Sequence, residues 1–144
     1  MILLDTNVFI YAFDPTSDFF EWARGTLRDA IRAGRASANP VILAELCVGD
    51  ASPETVATRL TNMGVAFLNL KPEFAPRCAT AFAAYLQARK NAGEPAKTRT
   101  PLPDFFIGAH AACLKLPIAT VDTARYSTYF PEVELITPDF QEKT

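Results

Sequence analysis

The chain begins with Met1-Ile2-Leu3-Leu4-Asp5-Thr6-Asn7, a short apolar run that leads into an acid and two small polar residues. The run from Ile2 to Leu4 predicts a strand buried on both faces, which is typical of the interior of a parallel sheet. Asp5 then falls at the carboxyl end of that strand, where open α/β sheets hold their ligands. Thr6 and Asn7 can cap the following helix and donate hydrogen bonds to the carboxylate. The stretch therefore predicts a parallel α/β fold and a first candidate site residue, with a helix cap as the alternative role for Asp5.

Apolar strand patterns alternate with helix patterns along the rest of the chain. Further strands are predicted at residues 35–38, 65–68, 117–122 and 133–136. Helices are predicted to begin near Val8, Phe19, Pro40, Pro53, Pro72 and Pro103, with Asp18, Asn39 and Ser52 as N-caps. This alternation predicts a twisted parallel sheet of about five strands with helices on both faces, a three-layer arrangement. Residues 1–144 have the length of one ordinary domain.

Composition excludes some classes of protein. The chain has 14 Lys and Arg against 16 Asp and Glu, a net charge of −2, so it does not bind nucleic acid through bulk positive charge, although a local basic lip is compatible with it. No apolar run approaches the roughly 20 residues of a membrane span, and the N-terminus lacks the pattern of a signal peptide. Cys47, Cys78 and Cys113 match neither a zinc-site spacing nor a disulfide framework, which favours reduced core residues. We expect a cytoplasmic protein without membrane association.

Acids recur where strands end or helices begin: Asp5, Glu45, Asp104 and Asp122. Asp104 has helix N-cap as its alternative role, and Asp122 follows Thr120 at the end of a strand, repeating the pattern of the opening. Acids that converge on one sheet edge repel each other unless a counter-ion is present. Oxygen ligands without Cys or His favour a hard cation such as Mg²⁺ or Mn²⁺. Such an ion can activate a bound water molecule and neutralise developing negative charge.

With their flanking residues, these acids resemble the ordered signature of PIN-domain ribonucleases. The matching segments are Leu3-Leu4-Asp5-Thr6-Asn7, Ala44-Glu45-Leu46, Asp104 with Ile107-Gly108-Ala109, and Thr120-Val121-Asp122. The size and the closing Phe130-Pro131 and Thr137-Pro138 are similar to VapC-type toxins of toxin–antitoxin pairs. The resemblance covers essentially the whole chain.

The resemblance implies a Mg²⁺- or Mn²⁺-dependent endoribonuclease that an antitoxin protein inhibits. It makes the four acids metal-binding and catalytic, with polar support from Thr6, Asn7 and Thr120. The chain departs from the family at Val121, where a basic residue is frequent, so Asp122 has the weakest support of the four. A haloacid-dehalogenase-type phosphotransferase would need an acid at the position of Asn7. A catalytically silent PIN-like binding module is the alternative, although all four acids are present.

Predicted contacts with RNA and with protein partners lie elsewhere in the sequence. Residues 91–103, which contain Gly and Pro, are predicted to form a loop. The basic residues before and within it are predicted to bind RNA: Arg89, Lys90, Lys97 and Arg99. A row of arginines is the alternative RNA-facing or partner-facing surface: Arg24, Arg28, Arg32 and Arg35. The apolar stripe from Phe74 to Leu86, with Phe9, Tyr11 and Phe13, predicts a homodimer. An antitoxin groove is predicted at Phe9, Phe13, Phe19, Phe20 and Trp22.

Overall fold

A computed structural model of the chain describes residues 1–94 and 99–139. Within those residues, five parallel strands form one sheet in the order β3-β2-β1-β4-β5. The strands are β1 Ile2–Leu4, β2 Ala36–Ala38, β3 Ala66–Phe67, β4 Ile118–Ala119 and β5 Leu135–Ile136. The predicted parallel α/β sheet is therefore confirmed, and the opening strand β1 lies at its centre.

Helices connect successive strands, as a parallel sheet requires. They are α1 Thr6–Ala12, α2 Phe20–Arg32, α3 Pro40–Val48, α4 Val56–Met63, α5 Ala75–Asn91, α6 Pro103–Leu114 and α7 Thr123–Tyr129. Short 3₁₀ turns at Pro53–Thr55 and Pro72–Phe74 lead into α4 and α5. The segment 91–103 was predicted to be a loop, and of it residues 95–98 lie outside the described chain.

Helix starts show where sequence rules hold and where they fail. Asn39 caps α3 as predicted, because its Oδ1 accepts a hydrogen bond of 2.9 Å from the backbone N of Ile42. Asp18 was predicted as an N-cap, and this prediction is wrong because α2 begins at Phe20 with Phe19 as its N-cap. Ser52 occupies the N-cap position of the 3₁₀ turn that begins at Pro53, but its side chain makes no capping hydrogen bond. The cap role for Asp104 is also excluded. Pro103 takes the first helical position of α6, which puts Asp104 inside the first turn.

Many of the fully buried side chains lie on β1, β4 and α6. Leu3, Leu4 and Ile118 are fully buried. α6 packs closely against the end of α7, since a Cβ added at Gly108 would lie 2.4 Å from ring atoms of Phe130. Real Cβ atoms do not approach other atoms so closely, so residue 108 must be glycine for this packing. The tight contact fixes the position of Asp104, which lies one turn before Gly108.

Side chains that were predicted to supply a dimer surface serve mainly the core. Phe9 and Phe82 are 3% and 5% exposed, and the rings of Phe82 and Phe105 lie 5.4 Å apart. The apolar stripe of α5 is thus consumed largely within the fold, whereas Phe13 of α1 is 64% exposed. The cysteines are unpaired, but Cys113 is exposed, so its expected core position is wrong. No helix in the described residues has the length and apolar character to cross a membrane.

Candidate active site

The four predicted acids meet at the carboxyl edge of the sheet. They share one cavity of about 220 Å³, which is lined by Asp5, Thr6, Asn7, Ile10, Tyr11, Glu45, Asp104 and Asp122. Asp5 follows the central strand, and its three companions come from α3, α6 and the end of β4. The topology therefore brings together residues that are up to 117 positions apart in the sequence.

Asp5 is the most buried acid of the four, with 3% of its surface exposed. Its carboxylate accepts bonds from Thr6 N at 2.8 Å, Thr120 Oγ1 at 2.8 Å, Tyr126 Oη at 3.1 Å and Asn7 Nδ2 at 3.3 Å. Burial raises the pKa of Asp5 above its ordinary value, although the hydrogen bonds act in the opposite direction. The bond from Thr6 N also makes Asp5 the N-cap of α1. The two alternative roles for Asp5 are thus compatible.

Asn7 and Thr120 connect the ends of β1 and β4. Asn7 Nδ2 donates to Thr120 Oγ1 at 3.1 Å, and the backbone N of Val121 donates to Asn7 Oδ1 at 3.2 Å. The Thr120 hydroxyl also accepts a bond from the backbone N of Asp122 at 3.0 Å while it donates to Asp5. Each polar group therefore has a partner, which fixes the rotamers around the buried carboxylate.

Glu45 reaches the cavity from α3. The Thr6 hydroxyl donates to Glu45 Oε1 at 2.8 Å. Burial raises the pKa of Glu45, and the negative charge of Asp104 raises it further. A buried contact holds the start of α3 against α6, because Nδ2 of the capping residue Asn39 lies 3.0 Å from Nδ1 of His110.

Asp104 carries the largest shift among the acids. Burial first, and then the charge of Asp5, raise the pKa of Asp104 to about 6. The guanidinium of Arg125, with Nη1 at 3.3 Å from Oδ2, acts in the opposite direction. Tyr126 Oη lies 3.5 Å from Asp104 Oδ1. Asp104 therefore holds a proton more readily than an ordinary aspartate, even with a cation beside it.

Asp122 differs from the other acids because its side chain is exposed. It occupies the N-cap position of α7, but its carboxylate makes no capping bond. It lines the same cavity from the rim. The supporting residues Thr6, Asn7 and Thr120 are placed where the sequence predicted them, in contact with the acids.

Sequence reasoning missed Tyr126 and Arg125 as residues of the candidate site. Tyr126 is fully buried, and its hydroxyl lies between Asp5 and Asp104. Burial and the nearby carboxylates raise the pKa of Tyr126 well above its ordinary value, so its hydroxyl remains a donor. The available signal was spacing, because Tyr126 lies about one helical turn after Asp122.

Of the residues predicted to bind RNA, those that the structure describes do not line the acidic cavity. Arg89 is half-buried and pairs with Glu94 through Nη1 at 3.0 Å, while Lys90 and Arg99 are exposed. Lys97 lies outside the described residues.

The arginine row borders a different feature, an apolar groove of about 530 Å³ between α1, α2 and α4. Its lining consists of Ala12, Phe13, Pro15, Phe20, Arg24, Leu27, Arg28, Ile31, Arg32 and Met63. Of the aromatic residues predicted for an antitoxin groove, Phe13 and Phe20 line it. Phe9 is wrongly predicted as groove lining, because it is buried in the core.

A model of the PIN domain matches residues 2–131. The chain belongs to the PIN domain family. This confirms the resemblance, and the family is one of nucleases. No curated protein matches the sequence of the chain.

Solved structures share the fold of this PIN domain over nearly its whole length. FitAcB from Neisseria gonorrhoeae is 21% identical with a TM-score of 0.66, covering 98% of this chain and 100% of its own. A toxin–antitoxin complex from Klebsiella pneumoniae is 22% identical with a TM-score of 0.62, covering 95% and 97%. VapBC2 from Rickettsia felis, bound to a DNA fragment from its promoter, is 18% identical with a TM-score of 0.60, covering 96% and 100%. At these identities the likeness shows the fold.

The donor set of the PIN domain fits a hard divalent cation in its chemistry. Its ligands would be carboxylate oxygens, and burial raises the pKa of Asp5, Glu45 and Asp104, as expected for acids that lack a counter-ion. Within the described part of the chain, no three His, Cys, Asp or Glu side chains already form a group that could hold an ion. Mg²⁺ takes few protein ligands and keeps several waters, so an incomplete protein shell suits it.

Proposed function

We propose that this PIN domain, a single domain over residues 1–144, is a Mg²⁺- or Mn²⁺-dependent endoribonuclease and the toxin of a toxin–antitoxin pair. The observation that carries the proposal is the cavity where four carboxylates meet, with Asp5 buried at its base and the pKa of Asp104 raised to about 6. Carboxylates gathered in this way are unfavourable unless a cation or a proton neutralises them. Membership of a nuclease family supports the same chemistry.

The residues have distinct roles in this proposal. Asp5 and Asp104 would bind the ion directly, and Asp122 would contact it through water or at a second position. When bound, Mg²⁺ or Mn²⁺ lowers the pKa of a water ligand and neutralises charge that develops on the phosphodiester. Glu45 would act as a further ligand or as the general base, with its carboxylate oriented by the Thr6 hydroxyl. Asn7 and Thr120 hold Asp5 in place.

An antitoxin protein is the proposed inhibitor. Support comes from the similar structures, one of which is a toxin–antitoxin complex from Klebsiella pneumoniae. The groove between α1, α2 and α4 combines apolar lining, including Phe13 at 64% exposed, with Arg24, Arg28 and Arg32. An amphipathic antitoxin segment with acidic residues would complement it. A homodimer and a cytoplasmic location belong to the same proposal.

A catalytically silent binding module is the second candidate. The Arg125–Asp104 ion pair favours it, because Arg125 partly neutralises an acid without any metal. An RNA cleavage assay distinguishes the two functions. The purified chain is incubated with a mixed single-stranded RNA in EDTA, and Mg²⁺ or Mn²⁺ is then added back in excess.

The nuclease proposal predicts no cleavage in EDTA, cleavage after the metal is restored, and none by Asp5→Asn. Asp50→Asn is the matched control, because Asp50 pairs with Arg59 at 2.7 Å outside the cavity, and it should cleave like the unmodified chain. Intact RNA in every condition would favour the silent module. For the antitoxin, expression of the chain alone should arrest growth of its host, and co-expression of the neighbouring open reading frame should restore it.

A further inference from the structure

Arg125 places a guanidinium group at the edge of the acidic cavity. Its Nη1 lies 3.3 Å from Asp104 Oδ2, and the Arg125 side chain is 30% exposed. The guanidinium makes cation–π contacts with two aromatic rings, since its Cζ atom lies 5.3 Å from the ring centroid of Tyr85 and 5.6 Å from that of Phe105. The guanidinium is thus held in a defined place beside the acids while part of it contacts solvent.

Tyr85 links Arg125 to a second arginine. The Cζ atom of Arg89 lies 5.8 Å from the same ring, and Arg89 pairs with Glu94 on its other side. We call Arg89, Tyr85 and Arg125 the basic strip. It leads from the end of α5 to Asp104, so two guanidinium groups lie along one path to the candidate site in a chain of net charge −2.

The ion pair with Asp104 explains the position of Arg125 only in part. A single contact of 3.3 Å between partly exposed groups contributes little to stability. A planar guanidinium carries five N–H donors in a fork that matches phosphate oxygens, and stacking on aromatic rings reduces the conformational freedom lost on binding. The group therefore has the properties of an anion-binding residue.

We propose that Arg125 binds a backbone phosphate of single-stranded RNA beside the acidic cavity, and that its ion pair with Asp104 breaks when Asp104 binds a divalent cation. The inference rests on the nuclease function proposed above and names a substrate contact for it. Because Arg125 competes with a cation for Asp104 but attracts the phosphate, its removal should affect the two ligands in opposite directions. A residue with only a structural role would not produce that pattern.

The test compares Arg125→Gln with Arg59→Gln, a matched control that breaks another Arg–Asp pair, at 2.7 Å, away from the cavity. Calorimetric titration of the metal-free proteins with Mn²⁺ alone should show binding about threefold to tenfold tighter in Arg125→Gln, because a competing positive charge is gone. Binding of a fluorescent single-stranded RNA is measured at saturating Mn²⁺ on a Glu45→Gln background, which is expected to keep the strand intact. There Arg125→Gln should weaken binding about tenfold.

Salt dependence gives a third measurement. Loss of one phosphate contact should lower the slope of log K against log salt by about 0.7. Arg59→Gln should change none of the three quantities. Arg125→Lys should keep the salt slope but weaken RNA binding about threefold, since it retains the charge and loses the fork. This variant carries the test if Arg125→Gln fails to fold.

Unchanged RNA affinity and slope in both Arg125 variants would overturn the inference, and so would weaker Mn²⁺ binding in Arg125→Gln. If the unmodified chain binds Mn²⁺ and RNA but the variants match it, this inference alone fails. If the unmodified chain binds neither ligand, the proposed nuclease function fails and the inference fails with it.

Discussion

The ends of β1 and β4 carry similar sequences side by side, yet they present their acids differently. Leu4 pairs with Ala119 in the parallel register, so the next residue of each strand puts Asp5 beside Thr120. Asp122 lies two residues after Thr120. Asp5 is 3% exposed and accepts four hydrogen bonds, whereas Asp122 is exposed and its carboxylate makes no capping bond.

A two-residue offset therefore separates a buried acid from an exposed one. At the level of Asp5, the neighbouring strand provides the Thr120 hydroxyl, which donates to the carboxylate and has no charge to repel it. Two residues later the chain has left the sheet and begins α7, where water reaches Asp122. Asp5 and Asp122 should therefore contribute unequally to the same chemistry. The following predictions test that inequality and the contacts that hold Asp5 in place.

The largest expected effect is that of Asp5→Asn. It replaces a buried metal-binding carboxylate by a neutral amide of the same size, so RNA cleavage at saturating Mn²⁺ should fall by about 10³-fold or more. The measurement is the initial rate on a labelled RNA, with folding checked by circular dichroism. A loss smaller than about tenfold would show that Asp5 is not an essential ligand of the metal ion.

The second effect is on stability and concerns Asp104, whose pKa is raised to about 6 by burial and by the charge of Asp5 ahead of that of Asp122. A raised carboxyl pKa means that the folded state binds its proton more tightly than the unfolded state. This contribution is therefore fully present below the unfolded pKa and is lost as pH rises through about 6.

Urea unfolding of the metal-free chain tests this. Asp104→Asn should be more stable than the unmodified chain at pH 7.5, by at most about 3 kcal/mol, and the difference should fall below about 1 kcal/mol near pH 4. Asp5→Asn should lower the pKa of Asp104 by more than Asp122→Asn does, as measured by ¹³C NMR of the carboxyl. Equal shifts from the two variants would contradict the inequality of the two strand ends.

Tyr126→Phe should have the third effect. It removes a hydroxyl donor shared by Asp5 and Asp104 but keeps the buried ring, so kcat should fall about tenfold with little change in KM. Tyr129→Phe is the matched control on the same helix, because the ring of Tyr129 packs against Tyr85 and Phe105 rather than the acids. If Tyr126→Phe loses no more activity than Tyr129→Phe, the Tyr126 hydroxyl does not position the carboxylates.

The smallest effect is expected for Asp122→Asn. An exposed carboxylate that acts through water or at a second position interacts weakly with the ion, so it should contribute about twofold to fivefold in rate. The same cleavage assay measures it next to Asp5→Asn. A loss as large as that of Asp5→Asn would show that exposure is a poor guide to the role of an acid in this cavity.

Much of the fold follows from the sequence because local patterns and topology agree. The run from Ile2 to Leu4 and the Asn39-Pro40 helix start are both visible locally, and both are confirmed. The N-cap roles predicted for Asp18 and Asp104 are wrong, since a short polar residue near a helix start does not by itself determine which residue is the cap. At α6, Pro103 takes the first helical position, so Leu102 and not Asp104 is the N-cap.

The candidate site was less predictable than the fold. The positions of Asp5, Glu45 and Asp104 follow from the common edge of a parallel sheet. The contacts of Tyr126 and Arg125 depend on how α7 folds back over that edge, which no short pattern encodes. A tyrosine on an apolar helix face has the same sequence signature whether its hydroxyl meets water or a buried carboxylate.

Anomalous diffraction from a crystal of the chain grown with Mn²⁺ tests the central claim most directly. We expect an anomalous peak in the acidic cavity, within bonding distance of both Asp5 and Asp104, and no peak there in an Asp5→Asn crystal. The RNA cleavage assay on the same preparation shows whether the crystallised protein is active. Active protein without a peak at Asp5, or with its peak elsewhere on the molecule, would contradict the account.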